Sequence, residues 1–367
     1  MLEAGGSVER PATTKGGRET GSNNGRSGDR AQQSGAVLRP AGTIGLRVRM
    51  QSLQSLGYLP VATAGLTPDS ILSCDLFIQR PGRGFAELYR GQSYPLKAED
   101  LSHLRESGTS HLYIRLADAD AYRAYLCENV LHQPQIPLAV RMNALREVTR
   151  VAFEDAFTAG DSALLVDVAA NFGRELADMV AQQSPAFGEL VKTLEHDYYT
   201  FTHVCNVSVY CVMLARGLGM SHAGELAQLC AAGLLHDIGK RFIPQQVLNK
   251  PGKLTDEEWA LIMEHPTTGF KELSTRDDLT WAQLMVVYQH HERLDGTGYP
   301  TGASTDEIHK WAQICSVVDV YDAMTCHRPY RRAAGSKAAC EHLKQQSGKW
   351  FNAEAVAWWT QQVESIQ

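Results

Sequence analysis

The sequence lacks several features that large classes of protein require. Its 367 residues contain no run of about 18 apolar residues, the length a helix needs to cross a bilayer, and no apolar N-terminal segment typical of a secretory signal. Basic residues are not in excess, because 35 Lys and Arg face 41 Asp and Glu, for a net charge of −6. Binders of nucleic-acid polymers normally present a basic surface. We therefore expect a cytoplasmic protein that binds neither membranes nor nucleic-acid polymers.

Paired cysteines and the motifs of covalent catalysis are also missing. The eight cysteines are scattered and include no CxxC pair, which indicates buried free thiols in a reducing compartment instead of a disulfide framework. Residues 70–132 contain no glycine-rich phosphate loop. No Ser-His-Asp or Cys-His arrangement is evident.

The first third of the chain consists of a polar tail and a mixed module. Residues 1–45 have few apolar residues and cannot offset the entropy of ordering, so we predict a disordered tail. Within 46–135, "SCDLFIQ", "GFAELYR" and "SHLYIRL" indicate strands, and "KAEDLSHLRESG" and "DADAYRAYLCENVL" indicate amphipathic helices. We interpret this segment as a small α/β sensory or dimerisation module. It shows no evident phospho-acceptor pattern of a response-regulator receiver.

Helical periodicity begins near residue 138 and continues to the C-terminus. Long segments repeat apolar residues every three or four positions and are broken at Gly or Pro. We expect a helical linker over 136–190 and a catalytic domain over 191–367. The predicted fold is multi-domain, with a small N-terminal α/β module and a C-terminal all-α helical bundle.

Five histidines and two aspartates share an apolar helical context. Any one of them alone is more often a hydrogen-bonded core residue than a ligand, since burying an unpaired polar group costs a few kcal/mol. Four helical segments each deliver an imidazole, however, and helical bundles build metal sites from side chains that project inward from facing helices. The candidate ligands are His203, His236, Asp237, His265, His290, His291 and Asp319.

The number of these donors indicates two metal ions. Seven exceed the roughly four ligands of one tetrahedral zinc ion. His and Asp suit divalent Mn, Fe, Co, Ni or Zn. Two ions about 3.5–4 Å apart can hold a bridging hydroxide and both oxygens of an in-line displacement at phosphorus. The donor set therefore favours hydrolysis of a phosphate ester.

Three motifs give the sequence a resemblance to a known family. "LLHDIGKRFIPQQVLNKPGKLTDEEWALIMEHP", "HHERLDGTGYP" and "DVYDAMTCHRPYR" together resemble the HD-GYP subfamily of the HD metal-dependent phosphohydrolases over about 195–350. The resemblance implies an all-α catalytic domain that hydrolyses cyclic di-GMP to pGpG, in some members on to GMP. It further implies a first metal held by His203, His236, Asp237 and Asp319, and a second held by Asp237, His265, His290 and His291. Tyr199 occupies the position where some members carry a glutamate associated with a third metal, so we expect two metals.

Further residues are candidates for handling the substrate. Lys240 follows His236 by about one helical turn and can stabilise phosphate charge. Arg328 and Arg331 match cationic positions of the family, and the planar guanidinium binds phosphate bidentately. The alternative for these three is an ordinary solvated surface. Arg293 and Tyr299 either pin the "DGTGYP" loop or contact a guanine. Asp237 and Lys240 are the predicted catalytic residues.

Several alternatives stay open at the level of sequence. In our hypothesis a bridging hydroxide on the metal pair attacks phosphorus. The native metal is expected to be iron or manganese, with nickel, cobalt and zinc as alternatives. The substrate could instead be 3′,3′-cyclic GMP-AMP, or the chain could be a non-catalytic cyclic-dinucleotide sensor, although a degenerate sensor would be expected to lose ligands. Partner candidates are a second copy, joined through the N-terminal module or linker, and diguanylate cyclase domains.

Overall fold

The structure is a computed structural model that describes residues 57–80, 85–182, 187, 200–250, 252–326 and 334–366. The predicted disordered tail, Tyr199, Arg328 and Arg331 lie outside the described residues. Within the described part, the chain is mostly helical and carries a small four-stranded sheet on its N-terminal side. None of the described helices has both the length and the hydropathy to cross a membrane.

The sheet is antiparallel and has helices packed on one face. Its strands run in the order β1-β4-β2-β3. In β4 the alternate residues Leu112 and Ile114 are fully buried, and they pack with Leu104 of α1 and Tyr125 of α2. The strands are β1 (Tyr58–Ala62), β2 (Leu76–Ile78), β3 (Glu87–Arg90) and β4 (His111–Arg115), and the helices are α1 (Ala98–Glu106) and α2 (Ala119–Leu126).

Sequence patterns predicted three of these strands and both helices. The strand β1 was missed because Pro60 interrupts it and Gly57 precedes it. Proline cannot donate to a sheet ladder and is confined to edges. The strand order places β1 at an edge of the sheet, where Pro60 is tolerated.

The rest of the described chain consists of helices and the loops that connect them. Helices α4 and α5 both pack against α6, and α5 also packs against α11. Their apolar faces form one large core that includes Tyr210, Tyr321 and Trp359. The helices are α3 (Leu138–Ala159), α4 (Ser162–Gln182), α5 (Thr200–Gly217), α6 (Ala223–Leu235), α7 (Gln245–Leu248), α8 (Asp256–Met263), α9 (His265–Leu273), α10 (Trp281–Gln289), α11 (Lys310–Thr325), α12 (Gly335–Gln345) and α13 (Ala353–Glu364), with a short 3-10 helix at Ile238–Phe242.

Candidate metal centre

The seven candidate ligands are brought together in the core of the helical part. Most of them lie at helix ends, where the main chain changes direction and can aim neighbouring side chains at one point. His236 and Asp237 lie between α6 and the 3-10 helix, and His265 is the first residue of α9. The adjacent pair His290 and His291 follows the last residue of α10, as expected for neighbouring imidazoles that converge beyond a regular helix. His203 and Asp319 project from α5 and α11.

The donors form two adjacent groups. Within each group, one donor atom from every member lies within 4.8 Å of the others. The groups are His203, His236 and Asp319, and Asp237, His265, His290 and His291.

Asp237 faces both groups. Its Oδ2 lies 3.3 Å from Nε2 of His236 and 3.8 Å from Nε2 of His203. Its Oδ1 lies 3.3 Å from Nε2 of His265 and 3.8 Å from Nε2 of His290. One carboxylate thus presents a separate oxygen to each set of imidazoles, an arrangement that would suit a ligand shared by two metal ions.

Hydrogen bonds at Nδ1 orient three of the imidazoles. His236 donates to the carbonyl oxygen of Gly233 at 2.7 Å, and His265 donates to that of Ile262 at 2.7 Å. His290 lies 3.0 Å from the carbonyl oxygen of Val287. A carbonyl oxygen only accepts, so each Nδ1 must carry the hydrogen. Nε2 of each ring is therefore the atom that faces Asp237, and in a neutral imidazole it carries the lone pair.

The polar atoms left inside the site fit a divalent cation. Nε2 of His236, Oδ1 of Asp237 and Oδ2 of Asp319 are buried without a hydrogen-bond partner in the described structure. Nε2 of His265 and Nε2 of His290 are 3.2 Å apart. Both atoms are acceptors, because both rings carry their hydrogen on Nδ1, so a cation held by His265 and His290 would relieve their repulsion. The His and Asp donors match the preference of borderline divalent metals.

The protonation states of the histidines and of Asp237 also suit metal binding. Burial lowers the pKa values of His265 and His291 well below that of an ordinary histidine. It lowers the pKa of His290 to about 4. Burial alone would raise the pKa of Asp237, but His236 and Lys240 hold it well below its ordinary range. At neutral pH, the three imidazoles are therefore neutral and the carboxylate is ionised, which are the forms that bind metals.

Asp322 is a functional candidate that the sequence reading missed. Its Oδ2 accepts a 2.7 Å hydrogen bond from Nδ1 of His203, and its side chain is fully buried. A carboxylate behind a ligating imidazole fixes the ring and raises its basicity. The available signal was the spacing, because Asp322 lies three residues after Asp319 in α11 and so occupies the same helix face.

We expect metal uptake near pH 7.5 to release about one proton per chain. Burial alone would lower the pKa of His203, but hydrogen bonds with Asp319 and Asp322 raise it to about 10. This shift stabilises the metal-free fold fully below pH 6.5, and the stabilisation is lost as the pH rises through 10. A metal held by His203 would have to displace this proton, so metal affinity should rise with pH across this window.

Titration calorimetry in buffers of different ionisation enthalpy measures the proton released by His203. The Asp322→Asn variant is the control, since an amide holds an imidazolium less strongly than a carboxylate does. Its proton release should fall well below that of the wild type. Metal uptake by the wild type with no proton release, at unchanged affinity from pH 6.5 to 9, would contradict the assignment.

Lys240 supplies a cation at the edge of the site. Its Nζ lies 2.5 Å from Oδ2 of Asp237, and the side chain retains 18% exposure. The short 3-10 helix sets this geometry, with Lys240 three residues after Asp237 instead of a full α-helical turn after His236. Because the ammonium group of Lys240 is partly exposed, it can exchange its hydrogen bond to the Asp237 carboxylate for one to a phosphate oxygen.

The loop after the paired histidines is held by Glu292, a second residue that the sequence reading missed. This buried carboxylate accepts hydrogen bonds from the main-chain nitrogen and hydroxyl of Thr301, both at 2.7 Å, and from the main-chain nitrogen of Ala303 at 3.0 Å. Gly298 packs directly on Glu292, where an added Cβ would lie 2.5 Å from Cα. The loop is therefore hydrogen-bonded to Glu292, the residue directly after His291.

The structure places the two predicted loop contacts differently. The ring of Tyr299 stacks on that of His291, with centroids 4.8 Å apart and an interplanar angle of 30°. It therefore covers a candidate ligand. The guanidinium of Arg293 instead lies over the indole of Trp350, 3.7 Å from the ring centroid, in a cation–π contact. This position fits the loop-pinning alternative for Arg293.

Comparisons with known proteins find relatives of the part of the chain that contains these residues. The family model of the HD domain matches residues 174–355. The cyclic di-GMP phosphodiesterase PA4108 of Pseudomonas aeruginosa is 37% identical over 174 residues, which cover 47% of this chain and 42% of that protein. The 3′3′-cGAMP-specific phosphodiesterase 3 of Vibrio cholerae is 39% identical over 148 residues, covering 40% and 31%. The chain thus spans less than half the length of these relatives.

A solved structure shares the fold. Bd1817, an HDG"Y"P protein from Bdellovibrio bacteriovorus, matches with a TM-score of 0.59 at 17% identity. The match covers 84% of this chain and 99% of that one.

Proposed function

We propose that this chain, which belongs to the HD-GYP group of HD domain proteins, hydrolyses cyclic di-GMP to linear pGpG, with further cleavage to GMP as a secondary outcome. The observation that carries the proposal is the position of Asp237, whose two oxygens face separate groups of imidazoles. Such a carboxylate suits a pair of divalent ions, and paired ions suit displacement at phosphorus. The name of the Pseudomonas relative supports cyclic di-GMP as the substrate.

The metals would be held by the seven donors already described. One ion would take His203, His236, Asp237 and Asp319, and the other would take Asp237, His265, His290 and His291. Bound there, two divalent ions would supply positive charge and a water that is acidic enough to ionise near neutral pH. We propose iron or manganese, because imidazole and carboxylate donors suit both, with nickel, cobalt and zinc as alternatives.

The chain's own residues would orient the reactants. Oδ2 of Asp319 is buried without a partner among the described residues and can accept a hydrogen bond from the attacking water. Lys240 would transfer its hydrogen bond from Asp237 to a phosphate oxygen and balance the charge that develops in the transition state. Tyr299, stacked on His291, would cover one side of the centre and limit the entry of bulk water.

Substrate binding and chain organisation complete the proposal. Arg328 and Arg331 would bind the phosphates, and Tyr299 and Arg293 would contact a guanine or hold the loop. We propose a sensory or dimerisation module over 46–135, a linker over 136–190 and a catalytic domain over 191–367. The module or linker would join two copies, and diguanylate cyclase domains would be regulatory partners.

A second candidate function is hydrolysis of 3′,3′-cyclic GMP-AMP. It is favoured by the Vibrio relative, which is named as specific for that substrate and is 39% identical. The two substrates share the same diester ring and differ in one base. The seven donors act on the phosphodiester and do not discriminate between the two bases.

Product analysis tests the proposal. Protein loaded anaerobically with Mn²⁺ or Fe²⁺ is expected to bind two equivalents of metal and to convert cyclic di-GMP to pGpG faster than it hydrolyses 3′,3′-cyclic GMP-AMP. Chromatography of the products and elemental analysis measure both quantities. Faster hydrolysis of the mixed dinucleotide would favour the second candidate. Two bound metals with neither substrate cleaved would overturn the proposed activity and favour a sensor.

A further inference from the structure

Helix α3 belongs to two hydrophobic cores. Ala144 is buried in the core of the N-terminal sheet, and the next residue, Leu145, is buried in the core of the helical part. Val140 and Val148 pack against the sheet core, whereas Met142 lies in the helical core. The position and rotation of α3 are therefore determined by both parts of the chain.

An arginine of this helix is buried beside the metal centre. The side chain of Arg146 is only 4% exposed, and burying an ionised group is costly unless it is paired and hydrogen-bonded. Its Nη2 donates to Oε1 of Glu147 at 3.0 Å, and its Nη1 donates to Oδ1 of Asn206 at 3.2 Å. Asn206 lies on α5, one helical turn after the candidate ligand His203.

The hydrogen bonds continue from Asn206 to His203. Nδ2 of Asn206 donates to Oδ1 of Asp322 at 3.0 Å, and Oδ2 of Asp322 accepts from Nδ1 of His203 at 2.7 Å. Asn206 and Asp322 are fully buried. We call Arg146, Asn206, Asp322 and His203 the relay.

Donor chemistry determines the direction of every bond in the relay. A guanidinium can only donate, so Arg146 turns the carbonyl oxygen of Asn206 toward itself and leaves the amide NH₂ for Asp322. The carboxylate of Asp322 then has one oxygen occupied by Asn206 and the other available for the imidazole. Without Arg146, the amide of Asn206 could reverse and present its oxygen to the carboxylate, which is repulsive.

We propose that Arg146 is a positioning residue for His203 and, through the relay, sets the affinity of the metal site that His203 completes. The proposal rests on the proposed metal centre. Helix α3 also packs against the sheet core. A helix outside the three quoted sequence motifs would therefore contribute to the strength of metal binding. Hydrogen-bond partners behind a metal ligand typically change metal affinity by about 10- to 100-fold.

Binding of Co²⁺ to the full chain tests this role without any measurement of hydrolysis. The Arg146→Met variant is expected to weaken Co²⁺ binding about tenfold and to alter the visible absorption bands of the bound ion. Asp322→Asn should weaken binding at least as much. The double variant should bind like Asp322→Asn alone, because both substitutions interrupt one chain of hydrogen bonds. Arg146→Lys keeps a donor and should recover part of the affinity.

Arg141 provides the matched control. It is a buried arginine of the same helix, but its Nε donates to the main-chain oxygen of Leu131 instead of to the relay. Arg141→Met should bind Co²⁺ with wild-type affinity and absorption. If Arg146→Met fails to fold, Asn206→Ala interrupts the relay at its middle and should show the same weakening.

Three outcomes separate the relay from the proposed function. Wild-type Co²⁺ affinity and spectrum in Arg146→Met would overturn the positioning role. Equal weakening in Arg141→Met would overturn it too, since the effect would then come from helix packing in general. A wild-type chain that binds no Co²⁺ would instead overturn the metal centre on which the relay depends.

Discussion

Replacing Asp237 by alanine is expected to abolish hydrolysis of cyclic di-GMP and to reduce bound metal from two equivalents to one or none. The variant loses the carboxylate that faces both groups of imidazoles. The substitution also removes the Asp237 oxygen that lies 2.5 Å from Nζ of Lys240. The positive charge of Lys240 then stays close to the remaining ligands. Metal charge contributes several kcal/mol to transition-state stabilisation, so we expect hydrolysis to fall by about 10³-fold or more. Elemental analysis and initial rates measure the two losses.

Asp278→Ala is the control for this experiment. Asp278 pairs with Arg276 on the surface and lies outside both donor groups. Its removal should leave metal content and turnover at wild-type levels, since exposed ion pairs contribute little. Far-ultraviolet circular dichroism shows whether Asp237→Ala keeps its helices. A folded Asp237→Ala variant with wild-type turnover would exclude the two-metal account.

The second large effect is expected from Gly239→Ala, which alters no donor. Gly239 lies in the "HDIGK" motif and packs against the first turn of α9. An added Cβ would lie 2.7 Å from the main-chain nitrogen of Gly269 and closer still to the carbonyl oxygen of His265. Both neighbours are backbone atoms, so α9 must move away and carry His265 from Asp237. We expect a loss of about 3 kcal/mol in the free energy of unfolding and a metal site that binds less than two equivalents.

Urea denaturation and elemental analysis measure these two changes. Gly91→Ala is the matched control, because the nearest atom to its added Cβ is a ring carbon of Tyr94 at 3.5 Å, an ordinary contact. Its free energy of unfolding should change by less than about 0.5 kcal/mol, with metal content unchanged. Wild-type stability in Gly239→Ala would mean that α9 and the 3-10 helix separate without cost.

The candidate ligands could be predicted from sequence because their chemistry is local. Each one is a His or Asp within or at the end of an apolar helical segment, so the residue type and its context appear together. The geometry agrees with the expected convergence, since a single carboxylate, Asp237, reaches both groups. The mostly helical chain with a small sheet on its N-terminal side was predicted for a similar reason. Periodicities of 3.6 and 2 are local properties of the sequence.

Apart from Asp322, the supporting residues could not be predicted, because their roles depend on distant partners. Arg146 and Asn206 are 60 positions apart, and Asn206 and Asp322 are 116 apart. In sequence, an arginine within "ALREVTRV" is typical of a solvated helix face. Only the packing of α3 against α5 shows that it is buried. Glu292 is similar, since a glutamate beside a loop gains its role from Thr301 and Ala303 once the loop has folded back.

The partners at Nδ1 also determine how the site can change during evolution. His236, His265 and His290 are oriented by main-chain carbonyl oxygens, and no substitution of a side chain deletes a carbonyl. His203 is oriented by the side chain of Asp322, which a single nucleotide change can replace. Natural variants that adjust metal affinity while keeping all seven ligands are therefore expected to accumulate behind His203 and to be rare behind the other three imidazoles.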